Sequence, residues 1–208
     1  AAAAAKAAAD AAAAKVAADA AAAAAAPKTF SLTTGSNNFV GGNGDDTFDA
    51  GLSTGSLQTL NSGDRLAGGN GTDELYAVIN GSVTPASMTS IENITATVVT
   101  NTSTLDLANA TGVSTVTIAG STAAATVAGL SKAASVTLRD SAVAHTVTYS
   151  DVAGTADSAT IAVSNFSQTT GIATTVAGVE TLTINATGSD SAIGALTSTS
   201  TAVLKVGG

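Results

Sequence analysis

The sequence predicts an all-β fold: a parallel β-solenoid, or β-roll, that follows an alanine-rich helix. Three observations lead to this prediction. Apolar positions repeat about every 22 residues from residue 77 to residue 208, short alternating segments are separated by turns rich in Gly, Asn, Asp and Ser, and the side chains are small, with no Trp among the 208 residues. Narrow stacked coils hold ladders of Val, Ile, Ala and Thr but have little room for larger side chains.

The N-terminal segment, residues 1–26, consists of alanine with five exceptions: Lys6, Asp10, Lys15, Val16 and Asp19. Alanine is the best helix former, and each Lys precedes an Asp by four positions, so each pair lies on one helical surface. Pro27 then ends the pattern. We expect residues 1–26 to form a separate alanine-rich helix, or else an unassigned spacer.

The C-terminal segment, residues 77–208, carries the repeat. Each repeat contains two apolar residues two positions apart, which point to one face of a strand while the residue between them points to the other. The pairs are Ile94 and Ala96, Val116 and Ile118, Val136 and Leu138, Ile161 and Val163, Leu182 and Ile184, and Leu204 and Val206. Shorter apolar pairs between them, such as Leu105 and Leu107, predict a second strand in each coil. A β-sandwich also has short strands, but the near-constant period favours the solenoid.

The middle segment, residues 27–76, contains two full copies of the nonapeptide G-G-x-G-x-D-x-U-x, in which U is apolar, at residues 41–49 and 68–76. Each copy follows a degenerate one in the same nine-residue frame, at residues 32–40 and 59–67. The glycines allow tight turns that expose backbone carbonyls, the Asp supplies a hard carboxylate oxygen, and U points inward. Stacked turns of this kind suit Ca²⁺, which takes roughly six to eight oxygen ligands.

The sequence therefore predicts a calcium-binding β-roll over residues 27–76, with about one site in each degenerate-plus-full pair. Asp46 and Asp73 are the strongest ligand candidates. Second-rank candidates come from the degenerate copies and from the glycine carbonyls: Asn37, Asp64, Gly42, Gly44, Gly69 and Gly71. Acidic loops without metal are the less favoured alternative, because clustered carboxylates without a cation repel one another. Mg²⁺ is also less favoured, because carbonyl cages suit the looser geometry of Ca²⁺.

The two nonapeptides resemble the RTX repeats of Gram-negative bacterial proteins that are secreted by the type I pathway. The wider arrangement, from residues 30–39 through both copies to the units that begin at Ile91 and Val179, resembles the calcium-dependent surface-layer (S-layer) proteins of that group. The motif match covers about residues 30–76, and the repeat region resembles the family in composition and period. This resemblance implies an extracellular, self-assembling β-solenoid at the cell surface whose folding or lattice contacts require Ca²⁺. The sequence departs from a long RTX block because it has two full copies of the nonapeptide rather than many.

Composition and charge argue against several other functions. The formal net charge is −8, and the only arginines are Arg65 and Arg139, so nucleic acid is not expected as a partner. No cysteine is present for thiol chemistry, and no strongly apolar run apart from alanine predicts a transmembrane segment. His145 is the only histidine, and we expect it to be exposed or simply packed. Glu92 and Glu180 lie four coils apart, too far for a glycosidase pair, and are expected to solvate turns.

The leading functional hypothesis is a structural, non-enzymatic subunit of a calcium-dependent extracellular assembly. Its expected partner is itself, in a lattice or filament, with cell-surface polysaccharide as a candidate anchor. Two alternatives stay open at this point: an adhesin or binding module that recognises a glycan or protein, and the noncatalytic RTX domain of a secreted enzyme.

Overall fold

The computed structural model describes residues 2–131, 133–150, 152–188 and 190–208. A single helix, α1 (Ala2–Ala24), precedes the strands in this part of the chain. The described strands are β1 (Thr29–Ser31), β2 (Asn38–Gly42), β3 (Thr47–Ala50), β4 (Arg65–Gly69), β5 (Glu74–Ile79), β6 (Ser87–Thr89), β7 (Asn93–Val98), β8 (Ser103–Asp106), β9 (Ala110–Thr111), β10 (Thr115–Ala119), β11 (Ala125–Leu130), β12 (Ser135–Ser141), β13 (His145–Tyr149), β14 (Ser158–Phe166), β15 (Ala173–Ala177), β16 (Thr181–Ala186), β17 (Ala195–Thr197) and β18 (Val203–Gly207).

The helix forms where the alanine run predicts it and ends before Pro27. Both expected ion pairs are present, with Nζ to carboxylate distances of 2.7 Å from Lys6 to Asp10 and 2.8 Å from Lys15 to Asp19. None of the described helical residues is buried. At its C-terminal end the Ala24 carbonyl accepts the Asn43 N–H at 3.0 Å, so the helix ends on the first coil. No helix in the described residues has the length and apolar character needed to cross a membrane.

The strands build a parallel β-solenoid of about eight turns, as the repeat predicts. A nine-stranded long sheet has the order β1-β3-β5-β7-β10-β12-β14-β16-β18. The N-terminal side sheet has the order β2-β4-β6-β9, and the C-terminal side sheet has the order β17-β15-β13-β11-β8. The neighbouring strands in these sheets pair in parallel although other strands lie between them in sequence, which is the pattern of a coil that leaves a sheet and returns to it. A β-sandwich would pair its strands in antiparallel fashion.

The core is a set of inward-facing columns that run along the long sheet. One column stacks register partners from seven successive strands: Phe48, Leu75, Ile94, Val116, Val136, Ile161 and Ile184. All seven side chains are buried. Burial of each such side chain contributes about 1.5–3 kcal/mol relative to leaving it exposed, so the stacking of coils on one another is a main source of stability in this fold.

The register departs from the predicted alignment at one step. The repeat aligns Ile161 with Leu182, whereas the structure pairs Ile161 with Ile184 and Ala159 with Leu182. The remaining predicted steps agree with the observed pairings. β14 is nine residues long, so it overlaps its neighbour on either alignment. A shift of two residues keeps every side chain on the same face, because the side-chain period of a strand is two.

The first two coils contain the nonapeptides and continue into the repeat region without a break in the long sheet. Phe39 pairs with Leu66 and Phe48 with Leu75, each pair 27 residues apart. Residues 50–58 separate the first full copy from the second degenerate copy as an irregular insert. Ala50 is the last residue of β3 and pairs with Ala77, whereas residues 51–58 lie in the connection between β3 and β4, where Ser53 and Leu57 form a small antiparallel bridge. Residues 51–58 therefore lengthen one coil outside the paired strands of the stack.

Candidate metal centre

The two nonapeptide aspartates lie at equivalent positions of successive coils, directly before β3 and β5. We call Lys28, Asp46, Asp73 and Glu92 the ladder positions, because they form one register column. In each case the carboxylate accepts the backbone N–H of the preceding member. The Lys28 N–H donates to Asp46 Oδ1 at 2.6 Å, the Asp46 N–H to Asp73 Oδ1 at 2.7 Å, and the Asp73 N–H to Glu92 Oε2 at 2.8 Å. One oxygen of each aspartate is thus used to join adjacent coils.

The second oxygens of these aspartates lack such a partner. Asp46 Oδ2 and Asp73 Oδ2 are buried, and neither has a hydrogen-bond partner among the residues that the structure describes. A Cβ built on Gly41 would collide with Asp46 Oδ2 and with the Gly68 carbonyl oxygen. Asp46 Oδ2 and the Gly68 carbonyl oxygen therefore both lie against the Gly41 backbone, where a side chain would not fit. Two acceptor oxygens held close together repel each other unless a cation or a proton neutralises the carboxylate.

The same arrangement recurs one coil further along. A Cβ built on Gly68 would collide with Asp73 Oδ2 and with the Ser90 carbonyl oxygen. Burial raises the pKa of the Asp73 carboxyl above its usual range; the hydrogen bond from the Asp46 N–H lowers it, and the charge of Glu92 raises it further. Burial and the neighbouring negative charges thus disfavour the ionised carboxylate, and a bound cation would offset both effects.

The donor set fits a hard cation. Carboxylate and carbonyl oxygens are the ligands that Ca²⁺ prefers. Beside Asp46 and beside Asp73, one carboxylate oxygen lies close to one carbonyl oxygen. Within the described ranges, no group of three or more His, Cys, Asp or Glu side chains could hold a metal ion. A coordination shell here would therefore depend on backbone carbonyls and water for most of its ligands, which Ca²⁺ accepts and Zn²⁺ does not favour.

The two predicted ligands from the degenerate copies, Asn37 and Asp64, lie directly before strands of the N-terminal side sheet, and the protein alone satisfies their hydrogen bonds. Asp64 Oδ1 accepts the Asn37 N–H at 2.7 Å and Asn37 Nδ2–H at 3.0 Å, while Asp64 Oδ2 accepts the Asn61 N–H at 2.7 Å. Asn37 Nδ2 also donates to the Gly35 carbonyl at 2.9 Å. This column joins two coils and leaves neither carboxylate oxygen without a donor.

The stacking therefore groups the candidates differently from the grouping that the sequence predicts. Residues 27 positions apart are joined, Asn37 to Asp64 and Asp46 to Asp73. The two members of a degenerate-plus-full pair instead lie beside different sheets, because consecutive nine-residue frames form opposite sides of one coil. A cation position would thus lie between two successive full copies, or between a full copy and the coil after it.

The four predicted glycine carbonyl positions serve the close approach of the two nonapeptide coils. The Gly42 carbonyl accepts the Asn70 N–H at 2.8 Å. A Cβ on Gly71 would lie 2.6 Å from the Gly44 oxygen, and Gly69 and Gly71 have φ values of 110° and 117°. Both conformation and space therefore require glycine at residues 69 and 71.

Sequence reasoning missed the two carbonyls that face the unpartnered oxygens, those of Gly68 and Ser90. Gly68 is the first residue of its nonapeptide. Ser90 lies one 22-residue period after Gly68, beyond the motif, and has a φ of 50°. Extending the period by one coil past the second nonapeptide would have identified it.

The sequence suggests that Glu92 and Glu180 solvate turns. In the structure each of them accepts a hydrogen bond from a backbone N–H group of a neighbouring coil. Glu92 Oε2 accepts the Asp73 N–H, and Glu180 Oε2 accepts the Asp157 N–H at 2.9 Å. These glutamates therefore join neighbouring coils in the way that the first oxygen of each nonapeptide aspartate does.

His145 is packed inside the C-terminal half of the solenoid. Its Nε2 lies 2.9 Å from Ser141 Oγ, and its ring contacts Phe166 at a centroid distance of 5.5 Å. Ser141 Oγ also lies 3.2 Å from the Ser121 carbonyl oxygen, so Nε2 carries the proton whenever the serine hydrogen bonds that carbonyl. Burial lowers the pKa of His145 to about 4. His145 is therefore a packed, neutral side chain, as the sequence predicts.

Comparison with known proteins adds no family assignment. No protein-family model matches the chain, and no curated protein shows a significant match to it.

Proposed function

We propose that this chain is a calcium-stabilised structural subunit of an extracellular assembly, of the kind that forms a bacterial surface layer. In this proposal Ca²⁺ binds beside Asp46 Oδ2 and Asp73 Oδ2. The chain is exported by a type I pathway and assembles with copies of itself. The calcium neutralises buried carboxylates and locks the first coils together. The remaining coils form the rigid body of the subunit.

The observation that carries the proposal is the pair of buried carboxylate oxygens, Asp46 Oδ2 and Asp73 Oδ2, which have no hydrogen-bond partner among the described residues and each lie close to a carbonyl oxygen. Acceptor oxygens held close together are unfavourable without a cation, and a bound cation would stabilise them. Both aspartates stand at the Asp position of a nonapeptide whose resemblance implies calcium. Sequence motif and local geometry thus support the same two positions.

The last described strand of the long sheet, β18, carries exposed apolar side chains. The edge strand β18 exposes Val203, Leu204 and Val206, at 46%, 50% and 76% of their surface. Val206 and Leu204 also border an apolar cavity of about 300 Å³ together with Ile184 and Leu196. An unpaired edge with apolar side chains readily pairs with another strand, whether from further coils or from another copy.

Assembly should depend on calcium. We expect light scattering to increase when Ca²⁺ is added to the metal-free protein and to reverse with excess chelator, and electron micrographs to show ordered arrays only with calcium. Assembly that persists in excess chelator would contradict the role of the metal, whereas a calcium-bound monomer that binds a glycan would favour an adhesin.

Isosteric substitutions at the aspartates provide the sharper test. In Asp46→Asn and Asp73→Asn the Oδ1 acceptor stays, and the new amide can donate to the facing carbonyl. We therefore expect the Tm without metal to rise and calcium binding, measured by calorimetry, to be lost at each substituted position.

Asp64→Asn is the matched control, because all three donors to Asp64 come from the protein. This variant places an amide hydrogen against a donor, so it should lower stability by about 1–3 kcal/mol while calcium binding persists. If Asp46→Asn and Asp64→Asn had the same effects on Tm and calcium binding, the assignment of a calcium position beside Asp46 would be wrong.

A further inference from the structure

Lys28 occupies the position in the first coil that Asp46 and Asp73 occupy in the next two. Thr29 pairs with Thr47 and Thr47 with Glu74, so the residues that precede them, Lys28, Asp46 and Asp73, are register equivalents. The backbone N–H of Lys28 makes the same bond as that of Asp46, because it donates to the carboxylate of the following coil. Lys28 is thus the first rung of the column, with a side chain of opposite charge.

The Lys28 side chain also reaches the equivalent carbonyl. Lys28 Nζ donates to the Gly41 carbonyl at 2.5 Å, and Gly41 corresponds to Gly68, whose carbonyl faces Asp46 Oδ2. The ladder side chain therefore approaches the same carbonyl column in each coil. In the first coil a donor meets the carbonyl, and in the next two coils an acceptor meets it.

We propose that Lys28 is a built-in substitute for a metal ion: its ammonium group fills the first position of the cation column and limits the chain to two calcium ions. This inference rests on the proposed function, since it assumes that Ca²⁺ binds beside Asp46 and Asp73. The ammonium satisfies the Gly41 carbonyl without any ligand, so the first coil keeps its structure when calcium is absent. Calcium is then needed only from the second coil onward.

The first coil also has the oxygens that a third cation would need. The Ala24 carbonyl oxygen and Lys28 Nζ both border Gly42, at 3.1 Å and 2.9 Å from the position that a Cβ would take. Because position 28 is the register equivalent of Asp46 and Gly41 of Gly68, an aspartate at position 28 would place a carboxylate oxygen near the Gly41 carbonyl. That arrangement resembles the one beside Asp46, and it predicts a gain of metal binding from a single substitution.

The experiment counts calcium ions per chain, by calorimetry and native mass spectrometry, in the wild type and in Lys28→Asp. We expect two ions in the wild type and three in Lys28→Asp. Without metal the Tm of Lys28→Asp should fall below that of the wild type, and saturating calcium should restore it. Lys205→Asp makes the same change of charge on β18 and should still bind two ions. Lys28→Met should bind two ions and show a lowered Tm that calcium does not restore.

The possible failures are distinguishable. A wild type that binds no calcium overturns the proposed function and this inference with it. Two ions in both the wild type and Lys28→Asp overturn only the inference. Should Lys28→Asp not fold, a crystal structure of the wild type grown with calcium decides: metal beside Asp46 and Asp73 with Nζ on Gly41 supports the inference, and metal bound to the Gly41 carbonyl overturns it.

Discussion

Asp64 and Asp73 are both fully buried and stand nine positions apart in the same sequence frame, yet their surroundings differ at the scale of single atoms. Three N–H donors satisfy Asp64, whereas Asp73 has one oxygen that faces only a carbonyl. Burial of an acid is therefore not a sufficient sign of a metal site. The count of donors around each oxygen separates a structural aspartate from one that needs a counter-ion.

His145 gives a second prediction at the residue scale. Burial lowers its pKa in the folded state to about 4, below the unfolded value near 6.5, so the unfolded chain binds its proton first as the pH falls. The stability that the neutral ring provides is complete above pH 6.5 and is lost as the pH falls from 6.5 toward 4. Between pH 7 and pH 5 we expect a loss of about 2 kcal/mol.

The measurement is urea unfolding of the metal-free protein at pH 7 and pH 5, so that calcium binding does not contribute. His145→Gln has no titrating ring and should show a smaller loss than the wild type over that range. Equal losses in the two proteins would place the pH dependence elsewhere.

The motif positions of the acids could be predicted from the sequence, because G-G-x-G-x-D-x-U-x fixes where a carboxylate follows a glycine turn. The partners could not, because they depend on which coils stack. Consecutive nine-residue frames form opposite sides of one coil, so Asp46 meets Asp73 and the Gly68 carbonyl rather than a residue of the preceding frame. Ser90 lies outside the motif, and only its distance of one 22-residue period from Gly68 marks it in the sequence.

At the scale of elements, the turn glycines explain why the coils approach so closely. A Cβ at Gly68 would meet the Ser90 carbonyl and the Asp73 carboxylate, and the backbone oxygen has no freedom to move aside. Gly68→Ala should therefore lower stability by at least about 2 kcal/mol and weaken calcium binding, measured by thermal melts with and without metal.

Gly81→Ala is the matched control for this substitution. In the described part of the chain, a Cβ at Gly81 would meet no heavy atom within 4 Å. Its effect on the free energy of unfolding should stay within about 1 kcal/mol. The alanine lowers the conformational entropy of the unfolded chain only slightly, and no contact in the folded state is lost. Similar losses for the two alanine variants would show that the close approach at Gly68 is not what requires glycine.

The strands themselves followed from alternation and period, since the apolar pairs from Ile94 and Ala96 to Leu182 and Ile184 are buried as expected, whereas Leu204 and Val206 on the edge strand β18 are exposed. The register between β14 and β16 did not follow, because Leu182 and Ile184 are both apolar and both point to the same face. A two-residue shift leaves burial almost unchanged, so the hydrophobic pattern alone does not choose between the alignments.

At the scale of the whole molecule, α1 contributes little to the solenoid. None of its described residues is buried, and its two ion pairs are exposed, so each is worth about 1 kcal/mol or less. Removal of residues 1–20 should leave the Tm within about 2 °C of the full chain, while circular dichroism at 222 nm loses its helical contribution.

The deletion keeps Ala24 and its contact with Asn43, and it keeps Lys28. A fall in Tm of more than about 5 °C would mean that the helix stabilises the coils through contacts other than those described. Such a result would point to a packing role for the alanine face.

The coils also differ in length, and this has a consequence for how such a chain can change. Successive register partners along the core column are 22, 20, 25 and 23 residues apart, from Ile94 to Val116, Val136, Ile161 and Ile184. The stack therefore accommodates turns of different lengths. Within a strand, an insertion or deletion of an odd number of residues moves the side chains to the other face, whereas an even number does not. Insertions and deletions at the corners, or in steps of two within a strand, leave the interior intact, so such an array can diverge quickly in sequence while its shape persists.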